Sequence, residues 1–222
     1  MLFEVFRTDD GSETVMQHPL GVSYHSRFGA RTESEQVYLV NGLHFFTSEN
    51  PGLSSVKIFE MGFGTGLNAL LAAQYAQKTG IGIEYHTCEL YPLPAEIYTQ
   101  LYRGEAALLD PLHEAAWDKP ARIHPFFTLV KYKQDLRQLD LTEVFDVVFF
   151  DAFDPDSQPD LWDYTVFEKL ALAAHPGSVL TTYSSKGSVR RNLEKAAWRV
   201  EKLRGPAGKR EVVRATQGCS SL

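Results

Sequence analysis

The chain has 222 residues, of which 44% are hydrophobic and 23% are charged. This length fits one domain, or one domain with a short extension, and the composition excludes long disordered segments. No apolar run approaches the roughly 18 residues of a membrane-spanning helix. The N-terminus carries acidic residues where a secretory signal needs basic and then apolar ones, so we expect a cytoplasmic protein.

Cysteines and histidines are few and scattered. The two cysteines, Cys88 and Cys219, predict neither a disulfide framework nor a thiolate metal site. None of the seven histidines forms a pair with the spacing of metal ligands. We therefore expect no metal, and we expect Cys88 to be a small buried hydrophobic residue.

Positive charge is concentrated near the C-terminus. The formal net charge is −6, yet residues 186–214 contain ten basic and only three acidic residues. Such a local excess is typical of a surface that binds an anionic partner. A solvated helix face next to charged edge strands is the alternative.

The first predicted unit, residues 1–51, is an N-terminal β extension packed on the main domain. Within it, Val37–Val40 is predicted as a strand and Asn41-Gly42 as a tight turn.

The second predicted unit, residues 52–222, alternates strands with helices. Strands are predicted at 56–61, 82–90, 127–132, 146–150 and 178–183, and helices at 67–77, 95–102, 105–117, 161–174 and 188–197. This alternation predicts a doubly wound α/β fold with a mostly parallel sheet. Two last strands, 199–203 and 211–215, flank a Gly/Pro turn and predict an antiparallel hairpin at the edge of the sheet.

A glycine turn lies between the first strand of this unit and its first helix. Gly62, Gly64 and Gly66 allow a sharp turn and close approach of a ligand to the backbone. Their spacing differs from the G-x-G-x-x-G of dinucleotide binding. Because a sulfonium nucleoside has no phosphate to place at the helix N-terminus, this spacing favours S-adenosylmethionine over NAD. A purely structural turn is the alternative.

Acidic residues stand at the strand ends around this turn. Glu89 closes the second strand, where a carboxylate accepts hydrogen bonds from both ribose hydroxyls. Asp135 follows the third strand and is predicted to meet the adenine amino group. Glu60, just before the glycines, is predicted to hold the amino-acid end of the cofactor by ordering the backbone. Helix capping or a solvated loop is the alternative for Glu89 and Asp135.

Asp151 and Asp154 follow the apolar strand at 146–150. Ligands of open α/β sheets bind beyond the carboxyl ends of the strands, so both acids are predicted near the methyl group and its acceptor. There they orient an amine and accept its proton, because only the neutral amine has a lone pair. We predict both as catalytic residues, with Asp151 also touching the cofactor. Capping of the following turn is the alternative for Asp151.

Several motifs occur in a recognisable order. They are YHS at 24–26, TESEQVY at 32–38, GFGTGLN at 62–68, DAF at 151–153, QPDLW at 158–162, PG at 176–177, KGSVRR at 186–191 and GKRE at 208–211. Together they resemble the methyltransferase domain of the bifunctional tRNA 5-methylaminomethyl-2-thiouridine biosynthesis proteins. The resemblance runs from about Tyr24 to Thr216. It implies a Rossmann-like class I methyltransferase fold and S-adenosylmethionine as cofactor, and it adds Asn68 to the cofactor-binding residues.

The resemblance also implies a reaction, methylation of the 5-aminomethyl group on the wobble uridine of tRNA. The bifunctional proteins carry an additional FAD-dependent oxidase domain, for which 222 residues leave no room. We therefore expect a stand-alone methyltransferase without FAD, a monomer or weak dimer, with a separate enzyme supplying the precursor. One departure is Asp154-Pro155, where the family usually has Ala-Pro.

Contacts with tRNA follow from the resemblance and from the basic segment. The predicted phosphate contacts are Lys186, Arg190, Arg191, Lys209 and Arg210. Phe153 and Trp162 are predicted to stack on the extruded uridine, with a core position as the alternative. Tyr24, Ser26 and Glu33 are expected to line the cofactor or acceptor pocket, or else to be ordinary strand and turn residues.

Other functions remain open at this point. A spermidine-synthase-like aminopropyltransferase shares the fold and a decarboxylated form of the cofactor, and a methyltransferase of a small amine is equally an enzyme of this type. The basic C-terminal segment disfavours the aminopropyltransferase. From another class, a non-catalytic tRNA-binding module is disfavoured by the intact Glu89, Asp135 and Asp151.

Overall fold

The computed structural model describes residues 2–19 and 21–218. The strands are β1 (Phe3–Arg7), β2 (Glu13–Gln17), β3 (Val22–Ser23), β4 (Ser55–Met61), β5 (Gly82–Cys88), β6 (Pro120–His124), β7 (Phe127–Tyr132), β8 (Phe145–Phe150), β9 (Ala174–Thr182), β10 (Trp198–Arg204) and β11 (Glu211–Gln217). The α-helices are α1 (Ala30–Ser34), α2 (Phe45–Glu49), α3 (Leu67–Thr79), α4 (Ala95–Tyr98), α5 (Ala106–Glu114), α6 (Tyr164–Leu172) and α7 (Gly187–Lys195). Arg103–Glu105 and Pro159–Trp162 form short 3-10 turns. In these ranges no helix combines the length and apolar character needed to cross a bilayer.

An eight-stranded sheet forms the centre of the molecule, in the order β10-β11-β9-β8-β4-β5-β7-β6. The five strands from β9 to β7 run parallel, and the outer strands on both sides are antiparallel. Met61 is level with both Cys88 on β5 and Phe150 on β8, so three strands end at one edge. The doubly wound fold and the C-terminal hairpin are thus confirmed. Strand β6, which begins at a proline and lies at the end of the strand order next to β7, was not expected from the sequence.

Two apolar layers cover the sheet. On one face Leu70 of α3 and Leu109 of α5 belong to the same buried cluster as Tyr85 of β5. On the other face Phe167 of α6 and Leu193 of α7 pack with Phe150 of β8 and its neighbours. Cys88 is buried as a free thiol, and Cys219 lies outside the described residues.

The N-terminal extension is partly helical, which corrects the expectation of β structure up to residue 51. Strands β1, β2 and β3 form a small antiparallel sheet. From Ala30 to Glu49 the chain is helical, and its middle section, Glu35–His44, has the wider π-type winding. The predicted strand at Val37–Val40 and the predicted turn at Asn41-Gly42 are therefore wrong.

Packing against the sheet explains this difference. Val37, Tyr38 and Leu43 are fully or almost fully buried, so the helix places its apolar residues on the central sheet. A Cβ on Gly42 would lie 3.1 Å from both the Phe149 ring and the Thr181 hydroxyl. Glycine at this position therefore serves a close approach between helix and sheet, and not a turn.

Candidate active site

A cavity of about 860 Å³ lies at the edge where β4, β5 and β8 end. It is lined by most of the residues that the sequence singled out, namely Tyr24, Ser26, Glu33, Gly62, Gly64, Asn68, Glu89, Asp135, Asp151, Phe153, Asp154 and Lys209. Glu60, Gly66, Trp162, Lys186, Arg190, Arg191 and Arg210 are not among the lining residues. The cavity thus joins the glycine turn, the strand-end acids and part of the N-terminal extension.

The glycine turn forms one wall of this cavity. Gly62, Gly64 and Gly66 have φ values of 92°, 51° and 74°, in the region that favours glycine. A Cβ on Gly62 would lie 2.7 Å from the carbonyl oxygen of Asp151. A Cβ on Gly64 would lie 3.1 Å from the Tyr24 ring. The turn therefore presents bare backbone to the cavity and passes close to the strand that carries Asp151.

Glu89 is tied to this turn through its carboxylate. Its Oε2 accepts a hydrogen bond from the Gly64 amide at 3.2 Å, and its Oε1 accepts one from the Tyr91 amide at 2.8 Å. Burial raises the pKa of Glu89 despite these bonds. Each oxygen retains a further lone pair, and the residue lines the cavity. This arrangement suits a ligand that offers two adjacent hydroxyl groups.

Asp151 lies between two neutral hydrogen-bond donors. The Tyr38 hydroxyl donates to Oδ1 at 2.7 Å, and the Asn68 amide nitrogen donates to Oδ2 at 2.9 Å. Burial raises the pKa of Asp151 to about 7, although both hydrogen bonds act in the opposite direction. The carboxyl group therefore exchanges a proton near neutral pH. Tyr38 was missed from the sequence, since it comes from the helix that was read as a strand.

Glu60 lies behind the turn and is only 1% exposed. Both carboxyl oxygens lack a hydrogen-bond partner within the described part of the chain. Burial, and secondarily the charge of Asp151, raises the pKa of Glu60 well above its usual range. Glu60 is therefore buried behind the glycine turn and does not line the cavity, and its predicted role in ordering the backbone remains a prediction.

Asp135 and Asp154 differ from Asp151 because each has a basic partner. Arg137 contacts Asp135 at 2.6 Å, and its hydrogen bonds lower the pKa of that carboxyl. Lys186 contacts Asp154 at 2.8 Å. Burial alone raises the pKa of Asp154, but hydrogen bonds and the positive charge of Lys186 outweigh it, so the net shift is downward. Both groups stay ionised at neutral pH, and they are weaker bases than Asp151.

Aromatic residues divide between the cavity and the core. Phe153 and Tyr24 line the cavity and pack edge to face, with ring centroids 5.0 Å apart. Trp162 is only 3% exposed, and its indole donates a hydrogen bond to the Phe153 carbonyl at 2.8 Å. Its predicted stacking on a uridine is wrong, because it packs in the core against Phe150. Tyr183, which also lines the cavity, was not recognised from the sequence.

The predicted phosphate contacts lie in different environments. Lys209 enters the cavity and pairs with Glu33, and Lys186 bridges Asp154 and Asp156. Arg190 is half-buried and donates to the Ser185 carbonyl at 3.3 Å.

Arg191 and Arg210 are exposed. Within residues 2–19 and 21–218, neither of them nor Arg190 forms a salt bridge. Helix α7 follows the carboxyl end of β9, so its first turn lies at the cavity edge of the sheet.

Comparisons with known proteins agree with this geometry. A family model described as S-adenosyl-L-methionine-dependent methyltransferase matches residues 120–218. The tRNA 5-methylaminomethyl-2-thiouridine biosynthesis bifunctional protein MnmC of Pseudomonas aeruginosa is 30% identical over 222 residues, covering 90% of this chain and 33% of that protein. The chain thus spans about a third of the length of the curated relatives it matches.

Two solved structures show the same fold. MNMC2 from Aquifex aeolicus has a TM-score of 0.78 and 24% identity, covering 97% of this chain and 70% of that chain. Spermidine synthase from Thermotoga maritima has a TM-score of 0.63 and 16% identity, covering 97% of this chain and 69% of that chain.

The glycine turn, the strand-end acids and the family match define an S-adenosylmethionine-dependent methyltransferase. Within this class, the chain resembles the MnmC proteins over 90% of its length.

Proposed function

We propose that this protein methylates the 5-aminomethyl group of a wobble uridine in tRNA, giving 5-methylaminomethyl-uridine. The observation that carries the proposal is Asp151, a cavity-facing carboxyl group with a pKa of about 7 at the end of β8. The choice of acceptor is supported by the name of the MnmC relatives, which are tRNA 5-methylaminomethyl-2-thiouridine biosynthesis proteins. In this proposal the reaction takes place in the cytoplasm, and a separate enzyme supplies the aminomethyl group.

The cofactor half of the cavity fits S-adenosylmethionine. In this proposal Glu89 accepts the ribose hydroxyls, Asp135 lies at the adenine end, and the turn with Asn68 holds the amino-acid end. The bare backbone at Gly64 and the free lone pairs of Glu89 support this fit. When bound, S-adenosylmethionine supplies an electrophilic methyl group.

Asp151 acts on the acceptor amine in this mechanism. The ionised carboxylate holds the ammonium group and takes one of its protons, which leaves the nitrogen lone pair free to attack. Tyr38 and Asn68 each donate to one oxygen of the carboxylate and so fix its orientation. Phe153 and Tyr24 provide an aromatic wall for the base that carries the amine.

The direct test is methyl transfer to a defined acceptor. Purified protein is incubated with labelled S-adenosylmethionine and tRNA from cells that lack wobble-uridine methylation, and the labelled nucleoside is identified after digestion. We expect label in 5-methylaminomethyl-uridine, lost in Asp151→Ala and retained in Asp156→Ala, a control that removes an exposed acid from the same loop. If the protein binds the cofactor but the tRNA remains unlabelled, the acceptor assignment is overturned. Small amines such as putrescine would then be tested.

A further inference from the structure

Lys209 places a positive charge inside the cavity. It lies in the turn between β10 and β11, and its ammonium group contacts the carboxylate of Glu33. The same ammonium lies 3.9 Å from the ring centroid of Tyr183. A carboxylate and an aromatic face together form a known type of site for an alkylammonium ion. Glu33 and Tyr183 therefore surround one ammonium group inside the cavity, that of Lys209.

The Glu33 carboxylate is buried and held in a fixed orientation. Glu33 is only 6% exposed, and its second oxygen accepts a hydrogen bond from the Ser26 amide at 2.9 Å. Tyr183 is fixed as well, because its hydroxyl donates to the carbonyl oxygen of Ala152 at 2.9 Å. A buried carboxylate without a cation is unfavourable, so Glu33 requires a positive partner.

Glu33 and Tyr183 lie near Asp151, the proposed base. Ala152, which anchors Tyr183, is the residue directly after Asp151. Glu33, Tyr183 and Asp151 all line the same cavity, and the charges of Glu33 and Lys209 both act on the pKa of Asp151. A positive charge held by Glu33 therefore acts electrostatically on Asp151.

We propose that Glu33 and Tyr183 form the subsite for the acceptor's ammonium group, and that Lys209 occupies this subsite until the acceptor displaces it. This inference rests on the proposed function, since the acceptor is a primary amine on a methylene carbon. The head group of lysine has the same chemistry. The Lys209 side chain is 25% exposed at a hairpin turn, and its flexible stem allows it to leave toward solvent.

A purely structural ion pair is the competing explanation. The hairpin turn also packs against the Phe28 ring, which leaves no room for a Cβ on Gly208. The turn therefore has a contact with the N-terminal segment besides the ion pair. A structural pair predicts that removing the lysine charge weakens ligand binding, whereas a displaceable mimic predicts stronger binding.

The first experiment measures binding, without methyl transfer. Dissociation constants of 5-aminomethyluridine and of uridine are determined by calorimetry on the full chain with S-adenosylhomocysteine present. We expect Lys209→Met, which keeps the stem and removes the charge, to lower the Kd of 5-aminomethyluridine by about tenfold. Glu33→Gln and Tyr183→Leu raise that Kd, and the Kd of uridine, which lacks the amine, stays within about twofold in every variant.

A folding check and a second variant at Lys209 accompany the binding measurement. An unchanged or higher Kd of 5-aminomethyluridine in a folded Lys209→Met protein overturns the inference. Thermal unfolding establishes folding, and Lys209→Arg, which keeps a positive charge, should not show the gain in affinity.

A simpler ligand separates this inference from the proposed function. Binding of n-butylammonium is compared with that of 1-butanol in the same variants. The inference stands if n-butylammonium follows the same order even where tRNA is not methylated, and it falls if tRNA is methylated while neither amine responds to Lys209→Met.

Discussion

At the scale of single residues, the acids of the cavity differ because their neighbours differ. Asp135 and Asp154 each contact a basic side chain, and the pKa of each is lowered. Within the described residues, the hydrogen bonds to Asp151 come from the neutral groups of Tyr38 and Asn68, and burial raises its pKa to about 7. A general base is most effective when its pKa lies near the working pH. Among these three acids, Asp151 meets that condition.

Asp151→Asn tests this role through its pH dependence. The carboxyl must lose its proton to act as a base, so log kcat/KM of the wild type should rise with pH and level off above about 7. The kcat of the variant should fall by at least about a hundredfold, and its kcat/KM should no longer rise with pH below about 7. The KM for S-adenosylmethionine should change little. Steady-state kinetics from pH 5.5 to 9 check this. A variant that retains the acidic limb would show that another group titrates.

The same substitution should stabilise the folded protein at high pH. The pKa of Asp151 is about 7 in the folded state against 3.8 for the free group, so the folded state binds the proton more tightly. Stability is therefore lost as pH rises through this window. The asparagine amide can donate to the Tyr38 hydroxyl and accept from Asn68, so we expect a gain of about 1–3 kcal/mol at pH 8. Urea unfolding at pH 5 and pH 8 should show a smaller gain at the lower pH.

At the scale of elements, the parts of the chain that surround the sheet complete the proposed acceptor side of the cavity. The helical segment from Ala30 to Glu49 provides Glu33 and Tyr38, and the β10–β11 turn provides Lys209. Helix α7 begins beside the cavity edge with exposed or half-buried arginines. These elements have different tasks, because the first two reach into the cavity and α7 offers its charges outside it.

Charge removal on α7 tests its contact with tRNA. Arg190→Ala/Arg191→Ala should weaken tRNA binding and reduce the slope of log K against log salt concentration by about 1–2. Lys119→Ala/Arg122→Ala removes two exposed charges at the opposite edge of the sheet and should leave the slope unchanged. Filter binding between low and moderate salt measures both slopes. Equal slopes in wild type and the α7 variant would mean that this helix face is only solvated.

At the scale of the whole molecule, the proposed cofactor half and the proposed acceptor half of the cavity are built from different parts of the chain. The cofactor half is built from the carboxyl ends of β4, β5 and β7, which a doubly wound sheet brings together. The acceptor half is built from the N-terminal extension and the C-terminal hairpin. We therefore expect the cofactor half to bind its ligand without help from the acceptor.

Ligand-linked stability measures the cofactor half by itself. S-adenosylhomocysteine at about a hundred times its Kd should stabilise the folded protein by about 2.7 kcal/mol and raise the Tm. Glu89→Gln should lose most of that increase, because an amide offers only one oxygen to two ribose hydroxyls. Glu84→Gln, on the strand that Glu89 directly follows but outside the cavity lining, is the matched control. If S-adenosylhomocysteine stabilises the Glu89→Gln variant as much as the wild type, another group binds the ribose.

Much of the fold and of the cofactor half was predictable from sequence. The alternation of strands and helices, the glycine turn and the acids at strand ends are short-range patterns, and the edge of a parallel sheet brings them together by topology alone. Asp151, Glu89 and Gly64 therefore occupy one cavity as expected.

Tertiary structure alone decided the acceptor half. Tyr38 reaches Asp151 across 113 positions, and Lys209 reaches Glu33 across 176. No local pattern marks either pair, and burial in a core overrides the preferences of segments such as 37–40. Trp162 was misjudged for the same reason, since its environment is set by residues distant in sequence. By itself the sequence determined the elements and the glycine turn at the proposed cofactor site, while packing between distant segments determined which side chains line the proposed acceptor side.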